Sequence, residues 1–464
     1  MNQEGILSGA AGLMAIQQVL NGPSSRRRLR SEVQRMLRPG YRAGRLHLTR
    51  AKFKPGRKLS AYYTFPANDP EGQASHWVQL AVTWRKNIDG DQHTDSWRQL
   101  QEEANQAGLM PVQCELWREL PERDMKLQIW PFDPEFPHLI RLGDPSYVAE
   151  MFASLGLAHD SNQIPVITPI RYRPGERHVL RYDLDSREPG RQRLYAKLYT
   201  NAQDAVKAFG VANRVVDWLD DNDVGLRGNR PVAMSPEEYV IFYPHASGIP
   251  LSHQFHRSHH WLATQLQLIG KSLAILHQGP ESLQADLRQN TFAKEVKVVK
   301  RASEHIQALL PQAHAKLVQI VDQAEDQYSA LPQEKPTFTH SDFKSDHLLT
   351  TAEGLTLIDF DTCTLTDPAM DIGKFLADLE WWFTLRRISG VEEAQSELLK
   401  GYLAGAGSND GVVHERLARA RFFYALIFVK IIVRRVPLYK NEWATRTGKM
   451  IERAAEVLRE AVKV

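Results

Sequence analysis

The sequence has little cysteine, with only Cys114 and Cys363 among 464 residues. Two thiols so far apart in sequence do not form a disulfide scaffold or a cysteine-based zinc site, because both need several cysteines at close spacing. A low cysteine content fits a reducing compartment. We therefore expect a cytoplasmic protein.

Long apolar runs are also lacking. The longest, FFYALIFVKIIV over residues 422–433, is too short to span a bilayer and contains Lys430. We interpret it as a buried helix and expect no membrane partner. The first 20 residues contain no basic segment ahead of an apolar one, so a signal peptide is not expected.

An excess of charge of one sign is absent from the whole chain, which has a net charge of +3. Residues 26–58 are nonetheless strongly basic, and Glu32 is their only acid. This segment has no aromatic platform and no recognised nucleic-acid motif, so we favour a solvated helix face over a nucleic-acid partner. The sequence indicates no oligomeric state.

Two parts of the sequence resemble each other. AKFKPGRKLSAYYTF at 51–65 resembles IRYRPGERHVLRYDL at 170–184, and MKLQIWPFDPEFPHL at 125–139 resembles EYVIFYPHASGIPL at 238–251. Matches in one order predict a duplicated, sheet-rich unit of about 100 residues, with the chance similarity of two hairpins as the alternative. From about residue 260 the apolar spacing becomes helical.

Carboxylates occur among short apolar segments in FTHSDFKSDHLLTTAEGLTLIDFDTCTLTDPAMDIGKF, residues 338–375. A buried ionised carboxylate is costly unless it is paired, hydrogen-bonded or bound to a metal. If 340–347 is a loop between strands and 358–361 ends a hairpin, Asp342 and Asp359 converge. Phosphoryl transfer uses such a pair, one carboxylate for the acceptor hydroxyl and one for Mg²⁺, together with a lysine such as Lys197.

These motifs carry a family resemblance. His340 and Asp342 match an H-G-D-x-x-x-x-N loop, Ile358–Phe360 matches I-D-F, and Asp367 with Asp371 matches D-P-x-x-D. In this order the segment resembles the aminoglycoside-phosphotransferase branch of the protein-kinase-like fold, from about Pro169 onward. The resemblance implies an ATP- and Mg²⁺-dependent kinase that acts on a hydroxyl of a small molecule.

The resemblance also implies a role for individual residues. The catalytic residues are Asp342, as base or hydroxyl-orienting group, and Lys344; the nucleotide-binding residues are Lys197, Gly175, Phe242 and Tyr243; the metal ligands are Asp359, His347 and Asp361. We expect Asp371 to be structural and to cap the helix that begins at DIGKF.

Several positions depart from the family pattern. His347 stands in place of the metal-binding asparagine, Ser341 replaces the loop glycine, and the phosphate-covering turn has only Gly175. We also find no clear glutamate to pair with Lys197, since only Asp204 and Asp217 are available on the next helix. These departures keep a pseudokinase, a nucleotide-binding or regulatory module, as the alternative function.

The implied fold is α+β: a bilobal protein-kinase-like fold preceded by a sheet-containing domain, a candidate degenerate copy of the N-lobe. We predict a basic helical extension over 1–40, the sheet-containing domain over 41–150, the N-lobe over 151–250 and a helical C-lobe over 251–464. The position of the domain at 41–150 is similar to that of the cap domain in maltokinase-like members.

The family places its acceptor cleft on the helices after DPAMD. In this sequence those helices supply Asp378, Glu380, Trp381, Trp382, Arg386 and Arg387. Adjacent helical residues diverge by about 100°, so at most one tryptophan is expected to face a cleft while the other packs in the core. A sugar or amino sugar is the expected acceptor.

Overall fold

The computed structural model describes residues 12–72, 74–86, 94–110, 112, 115–157, 164–184, 192–222, 224–352, 354–407 and 411–462. Cys114 and residues 185–191 lie outside these ranges. The chain forms two compact units. The first comprises Met1–Val206, Pro231–His245 and Pro437–Trp443; the second comprises Lys207–Arg230, Ala246–Val436 and Ala444–Val464.

The first unit begins with two helices and a six-stranded sheet. Its elements are α1 (Leu13–Asn21), α2 (Pro23–Met36), β1 (Arg42–Ala43), β2 (His47–Lys54), β3 (Lys58–Asn68), β4 (Ser75–Trp84), α3 (Thr94–Gln106), β5 (Trp117–Leu120) and β6 (Met125–Ile129). The strand order is β1-β3-β4-β6-β5, and β2 also pairs with β3. Strand β3 alternates buried and half-buried residues from Ala61 onward, as a sheet with one face on a core requires.

A second sheet completes the first unit. Its elements are α4 (Pro145–Ser154), β7 (Val166–Arg173), β8 (Arg177–Leu184), β9 (Gln192–Leu198), α5 (Ala202–Asp221), which runs on into the second unit, β11 (Ala233–Ser235) and β12 (Val240–Pro244). The order is β7-β8-β9-β12-β11. Phe152 of α4 packs with Tyr182 and Phe242 in the core that this sheet covers.

The two sheets share a strand order. Each sheet contains a hairpin that has a tight turn, β2–β3 or β7–β8, and the next strand, β4 or β9, pairs with that hairpin. A helix follows, and then two further strands of the same sheet; the second of them, β6 or β12, pairs with β4 or β9. Both hairpin turns contain a glycine in the left-handed region, Gly56 with φ 67° and Gly175 with φ 70°. The shared strand order agrees with the similarity between residues 51–65 and 170–184 in the sequence.

The second unit is mainly helical. Its helices are α6 (His259–His277), α7 (Phe292–Ala302), α8 (Glu304–Leu309), α9 (Pro311–Ser329), α10 (Ala369–Arg386), α11 (Val391–Ala406), α12 (Gly411–Arg435) and α13 (Trp443–Val462). Its strands are β10 (Leu226–Gly228), β13 (Ile249–Pro250), β14 (Thr337–Thr339), β15 (Leu348–Thr351), β16 (Gly354–Leu357) and β17 (Thr364–Thr366). One small sheet has the order β10-β16-β15-β13, and β14 pairs with β17.

The apolar run at 422–433 lies in α12 and is buried, as predicted. Its lysine, Lys430, is tolerated because its Nζ lies 2.5 Å from a carboxylate oxygen of Glu295 on α7. None of the described helices combines the length and apolar character that crossing a bilayer requires.

Helix α10 packs very closely on α12. A Cβ added at Gly373 would lie 2.5 Å from the Cβ of Phe423 and 2.6 Å from the carbonyl oxygen of Ala420. Only glycine permits this approach of the two backbones. The close approach fixes α10, which carries several side chains of the site described next.

Candidate active site

The loop over 340–347 and the segment over 358–361 lie side by side in the second unit. Strand β15 follows the loop and pairs antiparallel with β16, so that Leu348 is opposite Leu357. As a result, one ligand atom each from Asp342, His347 and Asp359 lies within 4.8 Å of the others. The convergence predicted from the sequence is present.

Two residues of this region have left-handed backbone conformations, Ser341 with φ 61° and Asp359 with φ 70°. Such a conformation costs an L-residue about 1–2 kcal/mol relative to glycine. Ser341 occupies the position of the family glycine, and its Oγ hydrogen-bonds Thr364 Oγ1 at 2.5 Å and Thr339 Oγ1 at 3.0 Å. These hydroxyl contacts offset part of the strain.

Asp371 anchors the start of the loop. Its carboxylate is fully buried and accepts hydrogen bonds from the amides of His340 and Ser341, both at 2.7 Å. The expectation that Asp371 is structural agrees with these contacts, but the expectation that it caps the helix is wrong. Helix α10 begins two residues earlier, and Asp367 accepts the hydrogen bond from the Ala369 amide at 2.9 Å.

Asp342 lies between two lysines. Lys374 Nζ is 2.9 Å from Oδ1, and Lys344 Nζ is 2.5 Å from Oδ2. Burial by itself would raise the pKa of Asp342, but Lys374, His347 and Lys344 together hold that pKa well below its ordinary value. A carboxylate with so low a pKa remains ionised at neutral pH and orients a hydroxyl better than it removes a proton.

Asp378 anchors the end of the loop. This carboxylate is fully buried and accepts hydrogen bonds from the amide of Ser345, at 2.9 Å, and from the Ser345 hydroxyl. Burial raises the pKa of Asp378, although Arg435 opposes the effect. Asp378 therefore supports the loop and does not line an acceptor cleft.

His347 contacts both aspartates. Its Nε2 lies 3.4 Å from Asp359 Oδ2, and its Nδ1 lies 3.8 Å from Asp342 Oδ2. Burial lowers the pKa of His347 to about 3, against the opposing effect of Asp359. The imidazole is therefore neutral at physiological pH, which is the form that ligates metal ions.

The cluster of Asp342, His347 and Asp359 suits a divalent cation, because it offers carboxylate oxygens and a neutral imidazole in close proximity. Asp361, the third predicted ligand, is half-buried in the short turn after Asp359. Among the described residues it does not belong to the clustered group.

The predicted nucleotide-binding residues belong to the first unit. Lys197 on β9 is opposite Ile241 on β12, and its Nζ lies 5.2 Å from the ring centre of Tyr243. The Phe242 side chain is fully buried, and its carbonyl accepts a hydrogen bond from Val232 at 2.9 Å. The structure thus brings Lys197 and Tyr243 together on neighbouring strands.

Gly175 is located in the β7–β8 turn of the same unit. Its amide donates to Asp133 Oδ2 at 2.8 Å. Asp217, one of the two acids considered as a partner for Lys197, pairs with Arg230 at 2.6 Å.

The residues that were expected to bind the acceptor molecule differ in how deeply they are buried. Glu380 is buried and accepts hydrogen bonds from Tyr424 and Arg453, so it is not available to an acceptor. Trp381 is buried, whereas Trp382 is half-buried and lies 4.5 Å beneath the guanidinium of Arg386. As predicted, only one of the two tryptophans is partly exposed.

Lys374 was not predicted from the sequence. The signal that could have found it is spacing: Asp371, Lys374 and Asp378 follow one another at three and four residues and share one face of α10. Each contacts a different part of the loop over 340–345. This face holds the loop at three points.

The family comparison agrees with this geometry. A model of the phosphotransferase enzyme family, APH, matches residues 169–422. The chain belongs to this family. No curated protein matches it.

Solved structures resemble this phosphotransferase at low identity. Choline kinase from Cryptosporidium parvum Iowa II has a TM-score of 0.50 and 12% identity over 68% of this chain and 96% of that one. A putative aminoglycoside phosphotransferase from Ralstonia eutropha has a TM-score of 0.47 and 16% identity over 68% and 97%. An aminoglycoside phosphotransferase from Streptomyces rimosus, solved with ADP and streptomycin, has a TM-score of 0.38 and 18% identity over 61% and 97%.

Two predictions are confirmed by these comparisons: the protein-kinase-like α+β fold, and the activity class of a small-molecule kinase. The likeness of the N-terminal domain to the cap of maltokinase-like members stays a prediction, as do the individual roles assigned to the site residues.

Proposed function

We propose that this phosphotransferase uses ATP and Mg²⁺ to phosphorylate a hydroxyl of a small molecule, a sugar or amino sugar, in the cytoplasm. The observation that carries the proposal is the cluster of Asp342, His347 and Asp359, whose ligand atoms lie within 4.8 Å of one another. Two carboxylates, one of them flanked by lysines, supply the groups that phosphoryl transfer requires.

In this proposal Asp359 and His347 would hold the metal ion, which would supply positive charge for the phosphates. Asp342 accepts a hydrogen bond from the acceptor hydroxyl and keeps its oxygen in line with the phosphoryl group. Lys344 and Lys374 keep Asp342 ionised and add positive charge beside the transferring group. In the first unit, Lys197 and Tyr243 are the nucleotide-binding candidates.

A sugar acceptor is supported by Trp382 and Arg386. The Arg386 guanidinium lies 4.5 Å over the Trp382 ring, and its N–H groups are donors for the hydroxyls of a sugar. The cytoplasmic location is supported by the low cysteine content.

A pseudokinase is the second candidate function. The observation that favours it is the imidazole of His347 in the metal cluster, because Mg²⁺ prefers oxygen ligands. A pseudokinase would bind nucleotide or a partner without turnover.

The test is a thermal shift of the wild-type protein with ATP, with and without Mg²⁺, beside the variant Asp359→Asn. We expect a Mg²⁺-dependent rise in Tm that the variant loses, because a ligand that binds only the folded state stabilises it. A screen of sugars and amino sugars for ADP release follows, with Asp342→Asn as the control that binds ATP without turnover. Turnover that survives in Asp342→Asn would overturn the proposal, and nucleotide binding without turnover in the wild type would establish the pseudokinase.

A further inference from the structure

The β7–β8 turn over 173–177 is held by residues of the first sheet and of the segment that follows it, in the same compact unit. Asp133, in the segment after β6, accepts hydrogen bonds through Oδ2 from the Gly175 amide at 2.8 Å and from His178 Nε2 at 2.7 Å. In addition, Lys52 of β2 forms an ion pair with Glu176 at 2.8 Å. The turn is therefore held at Gly175 and Glu176, and the strand that follows it is held at His178.

The surroundings of Asp133 suit it to hold the turn. It is 2% exposed, and its other oxygen accepts the Glu135 amide at 3.1 Å. A buried carboxylate is stable only when donors satisfy it, and two of these three donors come from the hairpin it holds. The preceding carbonyl, of Phe132, accepts the hydroxyl of Tyr172 at 2.6 Å, so the same segment contacts the hairpin before and after the turn.

The turn also carries positive charge. Burial, together with Arg50 and Arg171, lowers the pKa of Arg173 to about 10. Half-buried guanidinium groups that repel one another are stabilised by an anion. Because the Gly175 amide is already bound to Asp133, Arg173 and not that amide is the group that this turn offers to a phosphate.

We propose that strand β2 and the segment after β6 brace the β7–β8 turn, and that Asp133 is a positioning residue which fixes the turn for the phosphates of a nucleotide. The inference rests on the proposed nucleotide-dependent function. A turn with a single glycine would otherwise lose conformational entropy on binding, and holding it beforehand lowers the Kd. The brace thus replaces the glycine-rich sequence that the turn lacks.

The first test compares Asp133→Asn with Glu32→Gln. Glu32 is a matched control, because it is a buried carboxylate of the same unit that binds Arg35 and Arg123 instead of the turn. We expect Asp133→Asn to speed amide exchange over 173–178 about tenfold without nucleotide, and to raise the Kd of MgATP measured by calorimetry about tenfold. The kcat at saturating ATP should stay within about twofold. Glu32→Gln should change none of these quantities.

A second pair of variants covers the case in which Asp133→Asn does not fold. Lys52→Glu and Glu176→Lys should each raise the Kd of MgATP, and the double variant should restore it, because the exchanged charges pair again. Gly175→Ala should also raise the Kd, whereas Gly56→Ala, at the equivalent left-handed position of the first hairpin, should not.

The outcomes separate this inference from the proposed function. A wild-type protein that binds no MgATP would overturn the proposed function, and the inference with it. Wild-type binding with the same Kd in Asp133→Asn and Glu32→Gln, or a charge-exchanged double variant without recovery, would overturn the brace alone.

Discussion

Lys374 on α10 contacts Asp342 Oδ1 at 2.9 Å, while Lys344 contacts Oδ2 of the same carboxylate at 2.5 Å. One cation on each oxygen fixes the rotation of the carboxylate. The contact from Lys374 comes from the helix that also binds the backbone of the loop through Asp371. The orientation of Asp342 and the conformation of its loop are therefore set by one rigid element.

Lys374→Met should lower kcat by about 10- to 100-fold, because it would misplace Asp342, the proposed catalytic group, without weakening substrate binding. The KM for ATP should change little. Removal of this cation raises the pKa of Asp342, so the acid limb of the pH profile of kcat should move to higher pH. Steady-state kinetics across pH measure both effects.

Lys430→Met is the control for that variant. Lys430 is also a lysine of the second unit paired with a carboxylate, Glu295, and its loss should lower the Tm while kcat remains near the wild-type value. Equal losses of kcat in both variants, with an unmoved pH profile, would show that Lys374 acts through stability alone.

Ser341 provides a test of backbone strain. Ser341→Gly loses the hydroxyl contacts to Thr339 and Thr364 but relieves the left-handed conformation, whereas Ser341→Ala loses the same contacts and keeps the strain. We expect the glycine variant to be the more stable of the two by about 1 kcal/mol in the free energy of unfolding. Urea denaturation compares them, and an alanine variant of equal or greater stability would contradict the strain argument.

The motifs of the loop could be predicted because each lies in one short stretch of sequence. H-S-D, I-D-F-D and D-P-A-M-D give the order of strand, loop, hairpin and helix, and the structure brings Asp342 and Asp359 together as expected. The shared order of the two sheets follows from the echoed hairpins in the same way.

The roles of Lys374 and Asp378 could not be predicted from these motifs, because they depend on which face of α10 contacts the loop. Tertiary packing at Gly373 sets that face, and no local pattern reports it. Asp371 was assigned to a helix cap for a similar reason: the helix begins at Ala369, with Pro368 at the N-cap position, and only the starting residue decides which aspartate lies near its first amides.

His277 should make stability depend on pH. It is buried on α6, with Nδ1 2.9 Å from the Tyr402 hydroxyl and Nε2 3.4 Å from Asp371, and burial lowers its pKa from 6.5. The unfolded chain then binds a proton near pH 6.5 that the folded protein does not bind. The free energy of unfolding should fall as the pH drops below about 6.5, with a slope from this group of up to about 1.4 kcal/mol per pH unit.

His277→Gln should flatten the dependence of the free energy of unfolding on pH. Urea denaturation between about pH 7.5 and about pH 5, a range that brackets the pKa of an unfolded histidine, measures this dependence. His260→Gln is the control, because His260 lies exposed on the same helix, and it should leave the slope unchanged. An unchanged slope in His277→Gln would show that this histidine is protonated in the folded state as readily as in the unfolded chain.

His347→Asn should change which metal the kinase prefers. The imidazole of His347 lies among the ligand atoms of Asp342 and Asp359, and nitrogen ligands favour Mn²⁺ over Mg²⁺ more than oxygen ligands do. We expect the wild-type protein to show a higher ratio of Mn²⁺- to Mg²⁺-dependent stabilisation by ATP than the asparagine variant, by about three- to tenfold in apparent metal affinity. Thermal shifts over a titration of each metal give the ratio. Asp361→Asn is the comparison variant, because it removes a nearby, half-buried carboxylate and leaves His347 in place. A ratio that is the same in the wild type and in His347→Asn would remove His347 from the proposed metal site and leave its imidazole as a packing group between the two aspartates.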